Sequence, residues 1–122
     1  MSAQGQEARR SLRLVPATPV PVVDVMWDRV IGFVQDVSAG GLKLIANHGL
    51  VDNGLYQVQF DLGEPGPLEP GTHVHAIEAG VQVVNQRHGT GGGTVAGLRF
   101  VHLPKERAQV LMRWIRAHQA AA

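Results

Sequence analysis

In the segment "LYQVQFDL", Tyr56, Val58, Phe60 and Leu62 alternate with Gln57, Gln59 and Asp61. A period of two puts the apolar set on one face of an extended chain and leaves the other face wet. A helix cannot satisfy that pattern, because its faces recur every ~3.6 residues. The segment therefore reads as a strand with one buried side, and a strand needs neighbours to pair with.

The rest of the chain supplies them at short intervals. "VVDVMW" and "VIGFVQDV" are β-branched and aromatic runs that read as two strands, and "LKLIA" is a third. "SAGG", from Ser38 to Gly41, is a turn signal, and "NHGLVDNG" is a loop rich in turn residues. "GEPGPLEPG" holds three prolines and three glycines in nine residues and must be a connector. "THVHAIEAGVQVVNQR" is a long extended stretch in which Gly80 marks a bulge or bend. "HGTGGG" reads as a hairpin tip and "TVAGLRFV" as the last strand. The pattern then changes. In "LPKERAQVLMRWIRAHQ", Pro104 suits a first helical turn, and Val110, Leu111, Trp114, Ile115 and His118 recur at three-to-four spacing. Lys105, Glu106, Arg113 and Arg116 are left for water. Six or seven short strands followed by one amphipathic helix predict a mainly β fold. It would be a small antiparallel barrel, closed to remove its edges, with the helix packed over it.

The totals bound what such a barrel can do. A chain of 122 residues fits one domain. Residues 1–15 read as a polar and then charged leader, flexible at its outer end, ahead of a folded unit over 16–120. The formal net charge of +1 argues against broad DNA or RNA binding, which wants a strongly basic face. Aromatic content of 5% leaves few rings to stack on single-stranded bases. There is no cysteine, so disulfides, thiolate metal sites and a thiol nucleophile are excluded. No apolar run approaches the roughly 20 residues of a membrane span, and the N-terminus has no signal-peptide core. These features predict a cytoplasmic protein with no membrane insertion.

Two motifs carry chemistry. Arg9, Arg10 and Arg13 precede the first strand, and Arg9 and Arg13 are spaced to be aimed together by one helical turn or a tight loop. A guanidinium fork can grip phosphate oxygens, take the O6/N7 edge of guanine, or stack on a base. Asp36-Val37-Ser38-Ala39-Gly40-Gly41 follows. Asp36 is acceptor-only when ionised and can receive guanine N1–H and N2–H, and Ser38 can donate or accept. Gly41 permits a positive φ and close backbone approach to a ligand. Taken singly, the first motif reads as a solvated basic leader and the second as an ordinary Asx or Ser turn. His73 and His75 share one face of a strand but lack a third metal ligand, and read as a surface feature. "GTGGG" lacks the Gly-Lys-Ser/Thr ending of a phosphate loop. Trp114, at helical spacing, reads as a core anchor. No acid and base pair forms an enzyme's constellation.

In combination, Arg9-x-x-x-Arg13 followed after two strands by Asp36-x-Ser38-x-x-Gly41 resembles the PilZ domain family. "AGLRF", Ala96 to Phe100, is similar to that family's final-strand Gly-x-x-Phe, and a helix follows as expected. The resemblance runs from about Arg9 to about His118. It implies a six-stranded antiparallel barrel with a C-terminal helix, and a receptor for the bacterial second messenger cyclic di-GMP. There is no other cofactor and no enzymatic activity in that reading. Arg9 and Arg13 would hold the phosphates and guanine edges, with Arg10 assisting. Asp36, Ser38, Gly40 and Gly41 would meet a guanine from the barrel side, and Arg87 would add a phosphate contact. The leader would fold across the ligand and report its presence to an unidentified downstream protein. Ala8 stands where relatives that bind a stacked ligand pair carry a basic residue, which points to one bound ligand unless Arg10 compensates. The competing reading is an adaptor that keeps the fold, binds no ligand and acts only through protein contacts.

Overall fold

The structure is a computed structural model that describes residues 13–63, 76–89 and 93–121. Six strands follow one another in the chain: β1 (Pro21–Asp24), β2 (Arg29–Ser38), β3 (Gly41–Ala46), β4 (Leu55–Asp61), β5 (Ala76–His88) and β6 (Thr94–His102). One helix, α1 (Lys105–Ala121), ends the chain. All pairings are antiparallel, and the order β1-β2-β3-β6-β5-β4 closes when β4 pairs back to β1. Closure leaves no open sheet edge.

The alternation read in the sequence is what fills the barrel. Val58 and Phe60 of β4 point inward to meet Val22, Val37, Leu42, Leu44, Ile77, Val81, Val83, Ala96 and Leu98. Fully burying each of the valine, leucine, isoleucine and phenylalanine side chains contributes roughly 1.5–3 kcal/mol. The helix completes the core with Leu111, Trp114 and Ile115, the face expected from spacing. Trp114 is 2% exposed and donates its indole N–H to Leu62 O at 3.1 Å, fixing the helix to the end of β4. Pro104 stands one residue before the helix, where its carbonyl accepts the first helical bond from Ala108 N–H at 2.9 Å.

One strand boundary differs from the sequence reading. "VVDVMW" does not run extended to Trp27: β1 stops at Asp24, and residues 25–28 form the β1–β2 turn. The Asp24 carboxylate accepts from Met26 N–H at 3.0 Å, and Asp28 takes a φ of 52°. That Asx-type bond turns the chain where β propensity alone would continue it.

Register slips interrupt the pairing at four places among the described strands, one of them between β1 and β2 at Val22/Val23. β6 carries the extra residue Val101 opposite Gly80/Val81, the glycine singled out in the sequence, and β5 carries Val84 as the extra residue between Val83 and Asn85. β2 slips against β3 between Val34 and Asp36. Each extra residue moves the following side chains to the other face of the sheet.

Candidate functional site

The site begins where the chain enters the barrel. Leu14 pairs with Val37 through two backbone bonds, Leu14 N–H to Val37 O at 2.9 Å and Val37 N–H to Leu14 O at 3.0 Å. This tie holds Arg13 beside Asp36, and Arg13 Nη1 donates to Asp36 Oδ1 at 2.7 Å. Arg13 keeps about half of its side chain in solvent, whereas Asp36 is 14% exposed. Asp36 faces outward only because of the β2 bulge, which sets it opposite Lys43. Without that slip the inward alternation of Val34 would carry Asp36 into the barrel.

The β2–β3 hairpin closes on Ala39 and Gly40. Ser38 is buried and its Oγ donates to Gly41 O at 3.4 Å. Gly40 O accepts from Phe100 N–H at 2.9 Å, so the turn is fastened to β6. Gly41 does not use a positive φ, contrary to the reading of the motif. Its role is steric: a Cβ there would run into the Leu98 carbonyl oxygen. Gly40 has open space where a Cβ would stand.

From this turn an open cleft of about 610 Å³ runs along the outer face of β3, β6 and β5. It brings together Arg13, Ser38, Gly40, Gly41 and Arg87 of the residues singled out in the sequence. Asp36 stands next to it through its ion pair with Arg13, while Arg9 and Arg10 lie outside the described residues. Three pairing rows cross the face: Gly41 with Arg99 and Gln82, Lys43 with Gly97 and Asn85, and Ile45 with Val95 and Arg87. The outer rows are separated by roughly 13 Å of strand.

Lys43 and Arg99 are cleft cations that the sequence reading did not select. Their signal was present as alternation, since Lys43 lies between inward Leu42 and Leu44, and Arg99 follows inward Leu98. Arg99 is held by Gln82, whose Oε1 accepts from Nε at 3.1 Å and from Nη2 at 2.8 Å. Arg87 reaches the outer face through the β5 bulge at Val84, because the buried Val81 and Val83 would otherwise place it inside. Gly97 is the floor. A Cβ there would stand 2.7 Å from Asn85 Oδ1, so the missing side chain is what lets Asn85 lie across it. Among the described residues the lining therefore holds four fixed cations, Arg13, Lys43, Arg87 and Arg99, and no carboxylate. Such a concave polar face favours an anion with several acceptors.

The family model for the PilZ domain matches residues 7–117, and the chain belongs to that family. Among solved structures it is similar to Escherichia coli YcgR in complex with c-di-GMP, with a TM-score of 0.70 and 15% identity over 93% of this chain and 46% of that one. It is similar to the Bacillus subtilis inhibitor of motility MotI, with a TM-score of 0.67 and 17% identity over 93% of this chain and 52% of that one. The PilZ domain of E. coli YcgR with c-di-GMP gives a TM-score of 0.62 and 15% identity over 93% of both chains. The chain thus spans about half the length of the YcgR and MotI chains. No curated protein is matched by sequence. Among the described residues no helix is long and apolar enough to cross a membrane.

Proposed function

We propose that the chain is a receptor for cyclic di-GMP, a binding protein whose output is a changed surface. The observation that carries the reading is the cleft itself. Arg13 and the Ser38–Gly41 turn meet at one end of it, and Lys43, Arg87 and Arg99 continue the positive face with no lining carboxylate among the described residues. A ligand with two phosphates and two guanines offers an acceptor for each of these groups. Arg13 would grip a phosphate or a guanine O6/N7 edge, and Asp36, already beside it, would receive guanine N1–H and N2–H. Gly40 and Gly41 keep the lip low enough for a base to lie against it. Arg9 and Arg10 belong to the same reading as the leader's contribution, which would fold over the ligand and relay its presence to a downstream protein. Similarity to two c-di-GMP complexes supports the ligand assignment.

Calorimetric titration with cyclic di-GMP, at low and high salt and beside Arg9→Ala/Arg13→Ala, tests this. Saturable binding that weakens with salt and is lost in the variant is expected, because phosphates meeting arginines release counterions. Absence of binding by the parent chain would leave the adaptor reading in its place.

A further inference from the structure

Cyclic di-GMP carries two guanines related by twofold symmetry, and Asp36 can meet only one of them. The pairing row of Asp36 holds a second base reader at its far end. Asp36 pairs with Lys43, Lys43 with Gly97, and Gly97 with Asn85, so one line crosses four strands. Neighbouring strands stand about 4.8 Å apart, which sets Asp36 and Asn85 on the order of 14 Å from each other with Lys43 between them. Asn85 lines the cleft and is exposed. It faces outward only because Val84 is the extra residue after inward Val83.

The Asn85 amide is laid along the cleft floor by the missing side chain opposite. Its Oδ1, Cγ and Nδ2 lie 2.7, 3.1 and 3.1 Å from the point where a Gly97 Cβ would stand, so the group reaches from β5 over β6 toward Lys43. The other two amides of β5 are engaged: Gln82 holds Arg99, and Gln86 holds Leu50 and Asp52. Asn85 has no hydrogen-bond partner among the described residues, so both of its polar atoms are left for a ligand in the cleft. A half-turn about χ2 exchanges its donor and acceptor.

The two ends of the row therefore differ in what they accept. A carboxylate has no donor, so Asp36 takes the N1–H and N2–H of guanine but meets the bare N1 acceptor of adenine with a repelling lone pair. A primary amide is complementary to both purines. Its Nδ2 donates to guanine O6 while Oδ1 receives N1–H, or Oδ1 receives adenine N6–H while Nδ2 donates to a ring nitrogen. Lys43 midway, with Arg99 and Arg87 in the rows on either side, supplies charge for the phosphates that join the bases.

We propose that Asn85 reads the second base of the ligand and makes the site asymmetric: guanine is obligatory at Asp36, whereas guanine or adenine is accepted at Asn85. The ligand class is then cyclic dinucleotides with at least one guanine. This assignment rests on the receptor reading and on the part of Asp36 in it.

Calorimetric titration of the full chain with cyclic di-GMP, cyclic di-AMP and the mixed guanine–adenine ring of the same linkage tests it, beside Asn85→Ala and Asn85→Asp. A good bidentate base contact discriminates by roughly 5- to 150-fold. Wild type should bind one molecule per chain, with the mixed ring within about fivefold of cyclic di-GMP and cyclic di-AMP at least about 50-fold weaker. Asn85→Ala should weaken cyclic di-GMP and the mixed ring alike, by about tenfold. Asn85→Asp, acceptor-only at this end too, should keep cyclic di-GMP within about fivefold and weaken the mixed ring by at least about tenfold. A mixed ring bound as poorly as cyclic di-AMP, unchanged affinities in Asn85→Ala, or an unchanged preference in Asn85→Asp overturns the assignment, while cyclic di-GMP uptake by wild type leaves the receptor reading standing. Two ligands per chain also overturn it, because the two bases would then come from different molecules. A wild-type chain that takes up none of the three overturns the receptor reading itself, and the assignment with it.

Discussion

The β2–β3 and β1–β2 turns are both short hairpin connections, yet they are held in opposite ways. The β2–β3 turn is shaped by what lies against it: Phe100 N–H bonds Gly40 O, and the Leu98 carbonyl leaves Gly41 no room for a side chain. The β1–β2 turn is shaped from within, by the Asp24 carboxylate on Met26 N–H and by Asp28 at φ 52°. The first is therefore low and smooth, and becomes the lip of a cleft. The second is free to carry bulky residues and displays Met26 and Trp27. A turn fixed by its neighbours makes a surface for a small ligand, whereas a turn fixed locally can present side chains to something larger.

Substitutions can break this contrast, and the largest effect is expected at Gly41. Gly41→Ala should cost about 3 kcal/mol, because backbone rather than a flexible side chain blocks the new methyl. Thermal or urea unfolding reads it, and a stability within about 0.5 kcal/mol of wild type would show that β6 does not press on the turn. Next in size is Arg13→Ala, a test of the cleft alone. Its exposed ion pair is worth under about 1 kcal/mol to the fold. Loss of charge-assisted bonds to a bound ligand should lower cyclic di-GMP affinity by roughly 10- to 150-fold, about 1.5–3 kcal/mol. Asp24→Ala comes third. It removes the bond that fixes the other turn and should cost about 1 kcal/mol of stability with cyclic di-GMP affinity unaltered. The smallest effect is expected for Trp27→Ser, within about 0.5 kcal/mol in stability, since its side chain is largely in water. A larger loss in a chemical melt would mean that Trp27 packs on the barrel.

The strands, the helix and the turns were legible because their signals are local. Period-two alternation in β4, glycine and proline clusters, and the spacing of Leu111, Trp114 and Ile115 each act within a few residues. The second motif was legible for the same reason, as a compact run from Asp36 to Gly41. β1 was read too long because Val25, Met26 and Trp27 favour strand, and the side-chain bond from Asp24 that overrides them leaves no periodic trace.

The cleft belongs to the tertiary structure. Alternation alone would put Asp36 with inward Val34, and Arg87 with inward Val81 and Val83. Bulges between Val34 and Asp36 and between Val83 and Asn85 turn both outward, and only the closed order β2-β3-β6-β5 sets them on one continuous face. Lys43 and Arg99 join them because β3 pairs with β6 across a long separation in sequence. The sequence by itself determined which segments are strands and which side of most strands is dry, since those follow from backbone geometry and burial within one element. Register slips and barrel closure decided which charges meet, because both depend on the fit between strands that are neighbours only after folding.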